Sequence, residues 1–380
     1  MEIKNKVLMI YIEPTPYIIG LINAINVTNK DPVDILFLTE NQSQDWNMSC
    51  YDHWMFLPAK WINRVRLIRK IFFSGQYNLI HVAGWSEIFC FISILFAKIC
   101  HIPIVIETDT PHPPSIRWWK QAVKRLIYPA IFRMVDIFMP GGTRQSEYLE
   151  YYGVPSKKIV PAQMTVDVTY MQKCLTGYSI ADRKNTRQQY RIPDDHIVFM
   201  YAGRLVSYKG IFDLIDAFKK LSQDNVTLLI AGDGELRQKI EEIVNHDKKI
   251  RYTGRLQDDA LFKAYFASDV FVLPSHFEPW GLVVNEAMAM EKPVIVTDRV
   301  GCVDDLVEDG ETGFVVKAGH PENLQTAMEW LIKNPKAVAT MGKKAAQKIS
   351  TWTLENEAKN ICQAWAKTIK IKVFSHDLNS

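Results

Sequence analysis

Two glutamates bracket a short apolar segment in Glu278-Pro-Trp-Gly-Leu-Val-Val-Asn-Glu286. The run Val270–Leu273 ahead of it reads as a buried strand, and a helix opens near Gly281. Unpaired N–H groups of Gly281, Leu282 and Val283 at such a helix start make an anion site suited to a diphosphate. Gly281 carries no side chain, so a phosphate or sugar can approach the backbone there. Glu286 sits inside the helix, roughly 7.5 Å along its axis from Gly281 at ~1.5 Å per residue. Two carboxylates thus flank one anion site, one for a ribose diol and one for a sugar hydroxyl. Either acid alone is equally well read as a solvated surface residue. The composite of strand, proline-containing loop, glycine and helix argues against that reading.

A second constellation, Tyr201-Ala-Gly-Arg-Leu-Val-Ser-Tyr-Lys-Gly210, follows another apolar run. Gly203 permits a tight turn, and Arg204 and Lys209 offer a planar fork and a point charge for the oxygens of a leaving diphosphate. Alone, these residues would more often be a surface lysine and a helix-start glycine.

Taken with Ala231-Gly-Asp-Gly-Glu235, Lys292-Pro-Val-Ile-Val-Thr-Asp298, Gly301 and Asp309-Gly-Glu-Thr-Gly-Phe314, the two segments resemble retaining glycosyltransferases of family 4, group 1, with the GT-B fold. The resemblance is good over roughly residues 197 to 350. It implies that Arg204 and Lys209 bind the diphosphate, Glu286 the ribose and Glu278 the donor sugar, with the amides at Leu282 and Val283 on the phosphates. The implied reaction moves a sugar from a nucleoside diphosphate, UDP in preference to GDP, to an acceptor hydroxyl with retention. Two cations and a helix terminus serve the diphosphate, so no metal and no cofactor are expected.

The first half matches more loosely. Where family members often have a glycine-rich loop, this chain has Glu13-Pro-Thr-Pro-Tyr-Ile-Ile-Gly20. Many members place a histidine near the reacting sugar; here the region reads Ile106-Glu-Thr-Asp-Thr-Pro-His-Pro113. Asp109 is the better positional match and His112 falls three residues later. Either could face the anomeric carbon, and His112 could equally be a loop residue held by its flanking prolines.

The elements that would carry these groups alternate along the chain. Strands are expected at Val7–Ile12, Val33–Leu38, Asn78–Val82, Pro103–Glu107, Asp136–Met139 and Lys158–Val160, with helices at Pro16–Asn29, Ser86–Cys100, Ile116–Arg133 and Thr143–Tyr152. The polar stretch from Asp167 to about His196 breaks the rhythm, and alternation restarts at Ile197. The expected fold is α/β: two doubly wound Rossmann-like domains facing across a cleft; the family resemblance further implies C-terminal helices, including Trp352 and Trp365, packing back on the N-terminal domain. The boundaries are 1–175 for the acceptor domain, 176–196 for a linker, 197–350 for the donor domain and 351–380 for the returning helix.

A length of 380 residues, 48% hydrophobic and 23% charged, suits two globular domains rather than a disordered or collagen-like chain. The six cysteines, Cys50, Cys90, Cys100, Cys174, Cys302 and Cys362, form no C-x-x-C pair, so neither a zinc site nor a disulfide framework is expected. No signal peptide is expected at Met1–Ile12, and the apolar run Ile88–Ala97 is about half the ~20 residues a spanning helix needs. That points to a cytoplasmic protein. Lys60–Phe73 and Ile116–Tyr128 are basic, aromatic and free of acids, which suits peripheral contact with anionic membrane at its inner face and a glycan or lipid-linked acceptor. The ordinary alternative is two helices with solvated basic faces. The formal charge of +3 and the lack of any supporting motif argue against nucleic acid. The rival functions are a nucleotide-sugar epimerase or sugar phosphorylase of the same architecture, and a non-catalytic bilobal binding protein.

Overall fold

The computed structural model describes residues 6–29, 33–40, 54–113 and 117–377, with side chains to residue 370. Cys50 and Ile116 lie outside the described residues. Two compact units divide the chain: residues up to Met164 together with those from Leu354 on, and Thr165–Thr353.

The first unit runs β1 (Val7–Tyr11), α1 (Pro16–Thr28), β2 (Asp34–Phe37), β3 (Trp54–Phe56), α2 (Trp61–Phe73), β4 (Leu79–Ala83), α3 (Ile88–Ile99), β5 (Ile104–Thr108), α4 (Trp118–Phe132), β6 (Ile137–Pro140) and α5 (Thr143–Tyr151). The second runs α6 (Val168–Gly177), α7 (Ile180–Gln189), β7 (Ile197–Ala202), α8 (Ile211–Lys219), β8 (Val226–Ala231), α9 (Arg237–His246), β9 (Ile250–Gly254), α10 (Asp258–Ala267) and β10 (Val270–Leu273). It continues through α11 (Leu282–Ala289), β11 (Val294–Thr297), α12 (Val303–Leu306), β12 (Gly313–Val316), α13 (Pro321–Lys333) and α14 (Pro335–Ile349). Helix α15 (Leu354–Asp377) then belongs to the first unit.

Each unit holds one six-stranded sheet, ordered β3-β2-β1-β4-β5-β6 and β12-β11-β10-β7-β8-β9, and every described strand pair is parallel. Parallel sheets are covered on both faces, so their strands are apolar throughout. The all-buried Val7–Tyr11 and Val226–Ala231 show this. In each sheet the first strand has its partners on both sides, so the direction of winding reverses beside β1 and beside β7. The carboxyl ends of strands at such a reversal are where doubly wound sheets bind ligands.

On one face of the first sheet, α1 and α15 share a core with Ile22, Ile25, Ile361, Ala364 and Trp365. On the other, residues from α2, α3, α4 and α5 form a separate cluster. The first core contains a polar chain. Trp365 Nε1 donates to His81 Nδ1 at 3.0 Å, and an indole N–H can only donate, which fixes the imidazole proton on Nε2. That N–H faces Glu107 at 3.3 Å, and Glu107 also accepts from the Tyr11 hydroxyl at 2.7 Å. His81 is fully buried, so its acceptor has no water to turn to. Trp365→Phe keeps the ring packing and orphans His81 Nδ1; it should cost about 1–3 kcal/mol, read as a lowered urea midpoint. An unchanged midpoint would show that the bond contributes nothing.

Several sequence expectations change. The segment 176–196, expected as a linker, carries α7, packed on α10 in the second unit. A capping box starts this helix, with Ser179 accepting from Asp182 N–H and Asp182 from Ser179 N–H. Its buried face is Thr186 and Arg187 rather than an apolar stripe, so it leaves no hydrophobic period in the sequence. Arg187 bonds the carbonyls of Ala267, Pro193, Asp194 and His196 and pairs with Asp269. Lys158–Val160 makes only an isolated bridge from Ile159 to Phe138, while the short edge strand β3 was not foreseen. Trp352 stacks on Trp280 inside the second unit, with centroids 5.5 Å apart, and so does not join Trp365 on the first.

Candidate active site

Beside the reversal in the second sheet, the loops leaving β7, β8 and β10 meet, and glycines let them do so. A Cβ on Gly232 would lie 1.9 Å from the Gly203 carbonyl oxygen, and one on Gly210 2.1 Å from that of Pro274. No side chain fits at either place. Between these contacts the β7 loop is shaped by Tyr201, whose buried hydroxyl donates to the Arg204 carbonyl at 2.8 Å. Arg204 is exposed and donates to the Tyr208 hydroxyl at 2.6 Å. Lys209 sits in a single helical turn ending at Gly210, whose φ of +68° is left-handed.

The β10 loop is clamped from both sides. His276 N–H donates to the Tyr208 carbonyl at 2.8 Å, which ties it to the β7 loop. Glu278 N–H donates to the Arg299 carbonyl, and Glu278 and Trp280 carbonyls accept from Gly301 and Cys302, which tie it to the segment after β11. Glu278 is thereby held buried, and its carboxylate pairs with the Lys209 ammonium. Sixty-nine residues apart in sequence, these two side chains form one charged unit at the sheet edge.

Gly281 ends the loop at φ +102°, and α11 begins with no side chain capping its first turn. The donors there remain available to an anion. One turn further on, Glu286 is half-buried and accepts from the Tyr265 hydroxyl at 2.9 Å. Burial pushes its carboxyl up to about 7, against the opposing effect of the Tyr265 bond. The neighbouring Asn285 is fully buried. It accepts from the Trp280 indole at 3.1 Å and donates to Thr165 Oγ1 at 3.2 Å, and Thr165 donates to the Trp352 carbonyl at 2.7 Å. This chain fixes the loop from behind.

The second unit therefore gathers Gly203, Arg204, Lys209, Glu278, Gly281, Leu282, Val283 and Glu286 onto the loops and helix start at one edge of its sheet. Asp109 and His112 belong to the first unit. Asp109 is exposed just beyond β5, and its charge, with those of Glu13 and Glu107, adds to burial in raising the Tyr17 hydroxyl. His112 packs on α5, with its ring 5.1 Å from Tyr148 and 4.8 Å from Tyr151. Burial among these rings lowers its pKa, partly opposed by Glu147. Sequence reading missed Tyr265, Tyr208, Asn285 and Thr165. Asn285 and Tyr208 lie inside the two segments singled out in the sequence, whereas Tyr265 and Thr165 are distant in sequence from the groups they hold.

The comparisons with known proteins point the same way. The family model for glycosyl transferases group 1 matches residues 182–348. The uncharacterized glycosyltransferase MJ1607 of Methanocaldococcus jannaschii is 25% identical over 279 residues, which cover 68% of this chain and 67% of that protein. The capsular polysaccharide biosynthesis glycosyltransferase CapM of Staphylococcus aureus is 30% identical over 200 residues, 50% of this chain and 52% of CapM, so the match spans about half that relative. The crystal structure of Anabaena Alr3699/HepE in complex with UDP and glucose shares the fold, with a TM-score of 0.75 at 17% identity over 95% of this chain and 99% of that one. The two Rossmann-like sheets are those of the GT-B architecture. The family match lies within the second unit, and the relatives it accompanies are glycosyltransferases by name.

Proposed function

We propose that this chain is a retaining hexosyltransferase of family 4 that moves a sugar from a nucleoside diphosphate to the hydroxyl of a lipid-linked or cell-surface polysaccharide precursor. The observation that carries this reading is the pairing of Lys209 with Glu278 beside the uncapped start of α11. A cation and backbone donors there serve a diphosphate, and a fixed carboxylate next to them serves the sugar. Arg204 adds a second, exposed cation, and Glu286 takes the ribose diol.

In the proposed reaction the bond between the anomeric carbon and the β-phosphate oxygen breaks, and that oxygen keeps the electron pair. The acceptor oxygen bonds to the anomeric carbon from the same face, and its proton passes to the departing phosphate. Lys209, Arg204 and the α11 N–H groups stabilise the growing charge, the kind of preorganised field that dominates many such reactions. These groups leave no step that needs a metal or cofactor.

UDP is the first donor to try, since the HepE structure was determined with UDP and glucose. CapM's role in capsular polysaccharide biosynthesis favours an envelope acceptor on the inner face of the membrane. No helix among the described residues is long and apolar enough to cross a membrane, so contact would be peripheral. A thermal-shift screen of UDP- and GDP-sugars should give one donor that raises the midpoint by several degrees. Incubating that donor with lipid-linked acceptors should then yield product with the donor's anomeric configuration. Donor turnover that needs no acceptor alcohol would indicate epimerase or phosphorylase chemistry instead, and binding without turnover on any acceptor a non-catalytic receptor. An inverted product would refute retention.

A further inference from the structure

Helix α4 has apolar residues on two sides. Inward, Phe132, Tyr128 and Ile131 pack on the core, and beside them polar groups reach α5: Lys124 donates to the Tyr148 hydroxyl at 3.1 Å, exposed Arg125 to the Tyr151 hydroxyl at 2.6 Å, and Gln121 to the same Tyr151 oxygen. The Arg125 guanidinium also lies 4.9 Å from the Tyr151 ring centroid. Over fifteen residues the helix buries only Phe132. Five more apolar residues take the opposite side, three of them spaced three or four apart: Trp119, Val123, Leu126 and, beside them, Trp118 and Ile127. Trp118 and Leu126 are each 80% exposed. A helix covering a sheet normally turns its apolar stripe to the core and its charges to water. Here a second apolar strip faces outward, and a large exposed strip of this kind marks an interaction surface.

The neighbours extend the same surface. Helices α2 and α3 share α4's face of the sheet, contributing Ile71, Phe72, Ile94 and Ala97 to its buried cluster. Outward they expose Trp61, Val65 and Phe73 on α2, and Ile88 and Ile99 on α3. Charge across the three helices has one sign: four Lys or Arg on α2, one on α3, three on α4, and no Asp or Glu on any of them. The whole chain carries only +3, so this layer holds an excess that the rest offsets. Arg66, Arg69 and Lys70 line a shallow open hollow with Phe73 and Ser74.

We propose that the outer surface of α2, α3 and α4 docks on an anionic phospholipid bilayer, with the apolar strip of α4 entering the headgroup–acyl boundary and the cations of α2 meeting lipid phosphates. A bilayer of acidic lipid is the one occupant that supplies both apolar depth and negative charge. A second copy of this face would set like charges against one another, and a nucleic acid would leave the Trp and Leu side chains in water. The inference deepens the transferase reading, because it names the surface on which a lipid-linked acceptor would be met, but its test does not depend on turnover.

The test is co-sedimentation of the full chain with vesicles of phosphatidylcholine alone or mixed with phosphatidylglycerol. Binding should need the anionic lipid and weaken in high salt. Trp118→Ser combined with Leu126→Ser should reduce partitioning at least tenfold, with an unchanged thermal midpoint because both side chains are exposed. Arg66→Ala with Arg69→Ala should reduce binding and flatten its salt dependence. Equal binding to both vesicles, binding to neither, or a double variant that sediments like the parent would overturn the proposal. So would a stable dimer in solution that the same substitutions dissociate. Donor-induced thermal shift on the same samples keeps the two readings apart, since a chain that binds donor but no vesicle refutes docking alone.

Discussion

Lys209→Ala is expected to lower kcat for sugar transfer by about 10²–10³-fold, the cost of removing one preorganised group from a developing anion. The lysine has three donors, one of which goes to Glu278, leaving others for a diphosphate oxygen. Both side chains of the pair are only 11% exposed, so the substitution also strands a carboxylate largely out of water. Stability and activity would then fall together for different reasons, and a further substitution separates them. Glu278→Gln in the Lys209→Ala background should restore much of the lost thermal midpoint and none of the lost rate. If the single variant retained activity within about threefold of the parent, Lys209 would be a structural partner of Glu278 and not part of the leaving-group machinery.

Glu286→Gln is expected to stabilise the protein at pH 8 and to weaken it as a donor binder. Burial raises the Glu286 carboxyl from 4.5 to about 7. Between those values the folded chain holds a proton that the unfolded chain has released, so stability falls as pH rises through that window. At pH 8 the ionised carboxylate costs up to about 3 kcal/mol; part of the side chain reaches solvent, which makes this an upper bound. Glutamine still accepts from Tyr265 but carries no charge, so the variant should melt higher than the parent at pH 8 and match it near pH 4. Charge-assisted hydrogen bonds to the ribose would be lost, and nucleotide affinity should drop about tenfold. A variant that is no more stable at pH 8 would mean that the carboxylate is well solvated. Unchanged nucleotide affinity would remove Glu286 from the donor site. A group kept charged at a cost to the fold is characteristic of function.

The half of the site that could be read from sequence was the half built from local signals. Gly203 and Gly281 each sit at a strand-to-helix turn, and Glu286 lies in the helix that Gly281 opens, where glycine, apolar run and helix start lie within a few residues. The parallel sheets were legible for the same reason, since buried strands such as Val226–Ala231 are continuous apolar runs. What escaped depends on contacts across the chain. Tyr265 meets Glu286 because α10 and α11 flank one strand, and nothing in the spacing announces it. Helix α7 reads as a connection in the sequence because Arg187, buried among carbonyls, stands where an apolar residue would signal a core. Helix α4 was foreseen as an element, but which of its faces turns inward is decided by Tyr148 and Tyr151 on α5. Trp352 and Trp365, both near the chain's end and both aromatic, went to different units because a single stretch around Thr353 divides them.

That division sets an order of events during synthesis. The first unit is interrupted after Met164 and completed only by α15, whose Trp365 and Ile361 fill the core beneath β1 and β4. On the ribosome, domains fold as units in the order in which they are finished. Thr165–Thr353 is finished first, although it starts later. The N-terminal sheet lacks the cover over Ile22, Ile25 and the His81 imidazole until α15 leaves the exit tunnel. A nascent chain stalled before α15 would thus present a folded second unit and an open first one, the form on which a chaperone or protease would act.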